Sequence, residues 1–291
     1  MPQPVPTMVI TGATGGIGQR AALALARQGA HLVLTARSRA RAKATVQMIE
    51  AAAPGTRVDV YYGDFSDLAS VAALGREIAA RHARIDVLVN NAGIHAFAPR
   101  ITADGYAEMV AVNYLAPWLL TDMLRDTLLR SAPSRIVAVA SEASRQGAGF
   151  DPVAALDDIR PFTARGSSAI YGRTKLLDIM FSQELARQFE GRGVAVNCLC
   201  PGFNVTGLGR ELWFAAPLQR LLAGLGIGDP ARGAAIIVRL ARDPAFAEVT
   251  GGYFSVQDAR PLVPVSPGAD RHAQQALWQA TAERLARWSV A

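Results

Sequence analysis

Tyr171 and Lys175 stand four positions apart in the stretch YGRTK, which places both on one face if the segment is helical. A phenol with a pKa near 10 is a poor acid or base at neutral pH, and an ammonium one turn away lowers it through space. Lysine also carries donors suited to the hydroxyls of a sugar. Ser141 closes an apolar run of strand length, and its hydroxyl can donate to an oxygen on which negative charge develops. Such a set suits proton transfer at a carbonyl. Against it stand structural readings of the same residues: a core tyrosine beside a surface lysine, and a strand-end cap.

A second chemical signal lies near the start of the chain, where TGATGGIGQR follows the apolar run Met8-Val9-Ile10. A glycine-rich turn from strand into helix can hold a pyrophosphate on backbone N–H groups and the helix dipole. Gly12, Gly16 and Gly18 give the spacing G-x-x-x-G-x-G. The alternative parse through Gly16, Gly18 and Ala21 begins five residues past the strand, too late for the tight turn. Thr14, Gly15 and Ile17 complete the candidate cradle.

The elements that must position these groups follow from the apolar runs. Strands are expected at Thr7 to Thr11, His31 to Arg37, Val58 to Tyr62, Ile85 to Asn90, Arg135 to Ser141, Val194 to Leu199 and Tyr253 to Val256. Strands so apolar, alternating with amphipathic segments such as Ala21 to Gln28 and Leu68 to Arg81, indicate a parallel sheet covered on both faces. Ser66 or Asp67 can cap the second of these helices. The expected fold is α/β: a single doubly wound Rossmann domain over 1–291, with a mainly parallel seven-stranded sheet. Two connections, 142–168 and 203–228, are long enough to be lid-like insertions. An extension over 259–291 should end in a helix from about Asp270 to Trp288, presenting Leu277, Trp278, Leu285 and Trp288. The stretch Arg260 to Gly268 reads as an extended linker.

The glycine loop resembles the T-G-x-x-x-G-[IL]-G signature of the short-chain dehydrogenases/reductases. NNAG (Asn90 to Gly93), VNY (Val112 to Tyr114), Ser141, YGRTK and PG (Pro201, Gly202) then resemble further motifs of that family, in its order. Ser141 and Tyr171 are thirty positions apart, wider than in the commonest members and similar to retinol-dehydrogenase-like ones. GGYFS (Gly251 to Ser255) and the ALWQATAERL end helix resemble that subgroup too. The resemblance implies a nicotinamide cofactor and hydride transfer, with Asn113 holding its helix open around a water that relays protons to Lys175. It places Asp64 and Phe65 at the adenine, and Asn90, Ala92 and Gly93 along the adenosine. Pro201, Gly202 and Thr206 fall at the nicotinamide.

Charge at the end of the second strand discriminates between cofactors. LTARSRAR offers Arg37, Ser38, Arg39 and Arg41 without a carboxylate, so NADP(H) is preferred over NAD(H). A solvated basic helix start accounts for Arg39 and Arg41 more readily than for Arg37. The candidate substrate pocket is Ile94, His95, Phe97, Phe150, Phe203, Trp213 and Phe214, all after strand ends, where open α/β sheets bind ligands. These aromatics could equally pack a lid onto the domain or join copies in a homo-oligomer.

Composition narrows the function class. The net charge is +6, but the arginines are scattered rather than gathered with aromatics, which argues against nucleic acid. The absence of an apolar run of about eighteen residues argues against a membrane anchor, and a cytoplasmic protein is expected. Cys198 and Cys200 are read as core thiols on opposite sides of a strand, with no metal site. The expected activity is NADPH-dependent reduction of a bulky apolar ketone or aldehyde, or the reverse oxidation. C=C reduction of an enone at a similar site is the alternative, followed by a non-catalytic NADP(H) sensor.

Overall fold

A strand apolar on both sides needs helices on both sides, and the chain supplies them. The computed structural model describes residues 5–202 and 229–289. Its strands are β1 (Thr7–Ile10), β2 (His31–Ala36), β3 (Val58–Tyr62), β4 (Val87–Asn90), β5 (Ser134–Val139), β6 (Val194–Cys200) and β7 (Tyr253–Ser255). They form one sheet in the order β3-β2-β1-β4-β5-β6-β7, with every neighbouring pair parallel. The expected doubly wound Rossmann sheet is therefore present. Winding reverses between β1 and β4, and the carboxyl ends of these strands flank the crevice that such a reversal opens.

On one face α1 (Gly16–Arg27), α2 (Arg39–Ala52) and α8 (Pro230–Arg242) cover Met8, Ile10, Leu32 and Leu34. The other face carries α3 (Leu68–Arg81), α5 (Ala116–Met123), α6 (Arg125–Arg130) and α7 (Ser167–Gln188) over Val9, Val33, Leu88 and Ile136. A single helical turn, α4 (Glu108–Val110), runs through a π-helical turn at Ala111–Leu115 into α5. Asp67 rather than Ser66 caps α3, its carboxylate accepting from the Ser70 N–H at 3.1 Å. The terminal helix α9 (Arg271–Ser289) lies against α7, α5 and α3. Its Leu277 and Leu285 are buried, and Trp278 stacks on Phe181 with ring centres 5.9 Å apart. Leu285→Ala is expected to destabilise the protein by about 2–5 kcal/mol through the cavity it leaves. Denaturant unfolding measures the loss, and the variant should keep its turnover at temperatures where it stays folded.

Several boundaries differ from expectation in ways that matter below. Helix α1 begins inside the glycine motif rather than at Ala21, and β5 ends at Val139. Ser141 consequently lies beyond the strand, where it caps a 3-10 helix at Glu142–Gly147. The long connection after Ser141 is packed structure rather than a free lid. Its first turn lies against α7, and Leu156, in a second 3-10 turn (Ala154–Leu156), is fully buried. The stretch expected as a linker returns along β7, Leu262 N–H donating to the Tyr253 carbonyl at 2.7 Å. Cys198 and Cys200 share one face of β6, because residues two apart in a strand point the same way; both are free and belong to one core cluster. At the amino ends of β2 and β3, His31, Asp59 and His82 have ligand atoms within 4.8 Å of one another. Arg57 faces the same carboxylate at 3.3 Å, and Thr7 and Tyr61 pair with the two imidazoles, so hydrogen bonds account for the cluster.

Candidate active site

The carboxyl ends of the central strands open into a cleft of about 1010 Å³ among the described residues. Gly12, Thr14, Gly15, Gly16, Ile17 and Gly18 line one part of it, and Ser141, Tyr171, Lys175, Pro201 and Gly202 another. At the glycine end, Gly12 takes a φ of +67°, in the left-handed region that favours glycine. A Cβ on Gly18 would meet the Asn91 amide and lie 2.7 Å from the Gly12 carbonyl oxygen. Among the described residues no side chain caps α1, and no acidic residue occupies its first turn. Its N–H groups and dipole are thus presented to the cleft, which suits an anion such as a pyrophosphate.

Within NNAG it is Asn91, beside the expected Asn90, that reaches the glycine loop. Its amide donates to the Thr11 and Gly12 carbonyls at 2.8 and 3.3 Å, tying β4 to the glycine loop. Asn90, the last residue of β4, points the other way. Its side chain is buried and donates to Thr121 at 2.9 Å, outside the cleft lining. Ala92 and Gly93 do line the cleft.

At the basic edge, Arg37 and Arg41 both face the cleft. Arg37 is largely exposed and lies 3.8 Å from Asp64, so the two residues assigned to different parts of a cofactor neighbour each other. Arg39 turns away, over the Tyr62 ring at 4.3 Å. Ser38 caps α2, its hydroxyl accepting from Arg41 N–H at 3.4 Å. Phe65 is buried in the core. Neither Ser38, Asp64 nor Phe65 belongs to the cleft lining.

Tyr171 and Lys175 share a face of α7, with Nζ 6.0 Å from the phenol ring centre. Lys175 donates to the Val139 carbonyl at 3.0 Å and to Asp178 Oδ2 at 2.8 Å, leaving one of its three protons for a ligand. The Ser141 hydroxyl oxygen accepts from Ala143 N–H at 3.2 Å, and the hydroxyl also hydrogen-bonds Tyr171. Gly172 makes this approach of Ser141 and Tyr171 feasible, since a Cβ there would run into the Ala143 carbonyl. His95 stacks on the Tyr171 ring at 4.8 Å and 13°, and its Nε2 lies 3.0 Å from Ser167 Oγ.

Burial raises Tyr171 above the usual tyrosine value, Lys175 works to lower it, Asp178 raises it again and the Ser141 hydrogen bond lowers it; the net direction is up. Lys175 thus acts on Tyr171 in the expected sense, and it is burial of the phenol, with Asp178 second, that sets the net direction. For Lys175, burial favours the neutral amine, but the Asp178 carboxylate outweighs it and holds the ammonium above its ordinary value. Burial pushes the Asp178 carboxyl up to about 6 against the pull of Lys175.

Asn113 lies in the π-helical turn. Its Oδ1 accepts from Ile94 N–H at 2.7 Å, and its Nδ2 donates to the Ile94 carbonyl and to Thr174. Asn113 and Lys175 both abut the Gly93 backbone. Of the substrate-pocket candidates, Ile94 and His95 line the cleft. Phe97 stacks on His95 at 4.5 Å, outside the lining. Phe150 packs against the core beside Arg173, whose guanidinium lies 5.7 Å from its ring centre. Phe203, Thr206, Trp213 and Phe214 lie outside the described residues. Leu262 and Arg260, from the returning segment, line the cleft without having been singled out in the sequence.

The short chain dehydrogenase family model matches residues 6–153. Retinol dehydrogenase 14 of Mus musculus is 35% identical over 285 residues, covering 94% of this chain and 83% of that protein. A Streptomyces sp. (strain C5) protein, provisionally named daunorubicin C-13 ketoreductase DnrU, is 38% identical over 278 residues, covering 95% and 91%. Among solved structures, the Pseudomonas aeruginosa RhlG/NADP active-site complex is 25% identical with a TM-score of 0.68, covering 86% of this chain and 94% of that one. No helix among the described residues is long and apolar enough to cross a membrane. The chain belongs to the short chain dehydrogenase family, is retinol-dehydrogenase-like within it, and is an oxidoreductase of alcohol and carbonyl groups.

Proposed function

We propose that the protein reduces a bulky apolar ketone or aldehyde with NADPH, or runs the reverse oxidation, using Tyr171 as the general acid and base. The observation that carries this reading is the meeting of Tyr171, Ser141 and Lys175 in the cleft that the glycine loop also lines. The cleft's residues fit a dinucleotide. Gly12 and Gly18 let the loop pack closely on Asn91 and Ala92, the N-terminal end of α1 suits the pyrophosphate, and Arg37 with Arg41 suits a 2′-phosphate. The remaining proton of Lys175 suits the ribose hydroxyls.

When bound, the cofactor supplies the hydride that adds to the carbonyl carbon. As the π electrons move onto oxygen, Tyr171 donates its phenolic proton there and Ser141 donates a hydrogen bond to the same atom. Being held as a phenol, Tyr171 is ready to act as the acid. Lys175 and Asn113, converging on Gly93, form the path by which the phenol regains its proton from solvent. His95, flat against the Tyr171 ring, keeps the hydroxyl aimed. Ile94 and Leu262 give the cleft an apolar side, and two relatives are named for oxidation of retinol and reduction of the C-13 ketone of daunorubicin.

Arg37→Ala is expected to raise the Michaelis constant for NADPH by about tenfold and to leave that for NADH nearly unchanged. Tenfold is the low end for one charge-assisted contact, chosen because Arg37 is largely exposed. Equal effects on both cofactors would remove Arg37 from phosphate selection. Incubation with NADPH and a panel of bulky ketones, aldehydes and enones, with product identification, tests the reaction itself. Turnover of enones to saturated ketones without alcohol formation would replace the present reading with C=C reduction.

A further inference from the structure

Arg260 and Leu262 reach the cleft from the segment that returns along β7, and the register of that return decides where they face. Ser255 N–H donates to the Arg260 carbonyl at 2.8 Å, Pro261 pairs with Phe254, and Leu262 N–H donates to the Tyr253 carbonyl. Residues directly opposed on antiparallel strands share a face, and neighbours along a strand alternate. Phe254 belongs to the core on the α1 and α8 side, and Tyr253 to the core on the α7 side. Arg260 and Leu262 therefore stand on the face that carries Tyr171, and Pro261 stands on the other. The turn that sets this register is a strained one. Arg260 N–H donates to the Gln257 carbonyl at 3.0 Å, and the two residues between, Asp258 and Ala259, take φ of +55° and +54°. Alanine adopts this left-handed region rarely, and burial of Ala259 in the α1-side core holds it there. A slip of one residue would present Pro261 to the cleft in place of Arg260.

Away from the basic edge of Arg37 and Arg41, the charges of the cleft are matched except at this position. The acidic lining residues Glu108 and Glu142 are ion-paired with Arg100 and Arg145, and Lys175 with Asp178. Arg260 has no acidic partner among the described residues. We propose that Arg260 determines specificity, and that the substrate is a ketone or aldehyde bearing an anionic group, of carboxylate type, at the end remote from the carbonyl. The returning segment lies three strand spacings from the end of β5, about 14 Å. An extended arginine covers about half of that distance, so the anion sits about 7 Å from the carbonyl oxygen that Ser141 meets. Leu262, two positions along on the same face, is an apolar neighbour for the chain between the two groups. Such a substrate is still bulky and largely apolar, with one charge at its far end.

The assignment rests on carbonyl reduction at Tyr171, and the experiment reads the two separately. ω-Benzoylalkanoates of increasing chain length are compared with their methyl esters, with NADPH as reductant and kcat/KM for alcohol formation as the readout. At the best length the carboxylate should be favoured over its ester by about tenfold, the low end for one charge-assisted contact. Arg260→Ala should bring the carboxylate down to the level of its ester, and Arg260→Glu should make the ester the better substrate. The KM for NADPH should stay as in the wild type. A wild type that prefers the ester at every length overturns the proposal, as does a carboxylate advantage that survives in Arg260→Ala. An equal rise in KM for NADPH and for the carboxylate in Arg260→Ala would assign the residue to the cofactor and overturn it too. Should none of these ketones be reduced, the reaction assigned above fails, and calorimetric titration of the same carboxylates and esters into the NADP⁺-loaded protein reads Arg260 by binding alone. A carboxylate advantage in Kd that disappears in Arg260→Ala supports the proposal, and equal Kd values for carboxylate and ester overturn it.

Discussion

Tyr171→Phe is expected to lower kcat for ketone reduction by about 10²–10⁴-fold, the usual contribution of a positioned general acid, while NADPH binds as tightly as before. The substitution removes one hydroxyl and keeps the ring. Contacts that hold the ring, chiefly the stacked His95 at 4.8 Å, should therefore survive, as should Lys175 with its bonds to Val139 and Asp178. What is lost is the proton delivered to the carbonyl oxygen, which Ser141 can polarise but cannot protonate as efficiently. Single-turnover kinetics with preloaded NADPH would separate chemistry from binding. A variant with wild-type kcat would show that Tyr171 is a core residue near the cleft rather than its acid.

Gly18→Ala is expected to weaken NADPH binding by about 10- to 100-fold. The added methyl group would meet the Asn91 amide and lie 2.7 Å from the Gly12 carbonyl oxygen, and neither can yield without moving the loop. Asn91 holds Thr11 and Gly12 from β4, so displacing it also loosens the link between the two strands at the sheet's switch point. Overpacking of this kind costs about 1–3 kcal/mol, which is the stated range in affinity. Fluorescence titration with NADPH measures it, and circular dichroism confirms that the sheet is retained. Wild-type affinity would mean that the packing of the glycine loop on Asn91 does not shape the cofactor site.

Much of this architecture was legible in the chain. All seven strands lie where apolar runs predicted them, because parallel strands buried on both faces leave an unbroken apolar signature. Ser141, Tyr171 and Lys175 come together although thirty positions separate the first two. Which side of a chain a residue faces was harder to read. Asn90 and Asn91 are indistinguishable as letters, and only the point at which β4 ends decides that the second reaches the glycine loop. Aromatic residues after strand ends suggested a substrate pocket, but burial is won by the nearest apolar surface, and Phe150 found it against the core beside Arg173. Asp178 was within reach of sequence reasoning, since a carboxylate three positions after a lysine on a helix is a standard pair. Its burial was not, because a surface pair and a buried one have the same spacing.

The central claim is that hydride arrives at a carbonyl carbon in the cleft where Tyr171 protonates the oxygen. The most direct measurement uses NADPH deuterated on the transferable position of its nicotinamide ring, a bulky substrate containing both a ketone and a conjugated C=C bond, and NMR of the product. Deuterium on the carbinol carbon, lost in Tyr171→Phe, is the predicted result. Deuterium on the carbon β to an intact carbonyl would contradict the account.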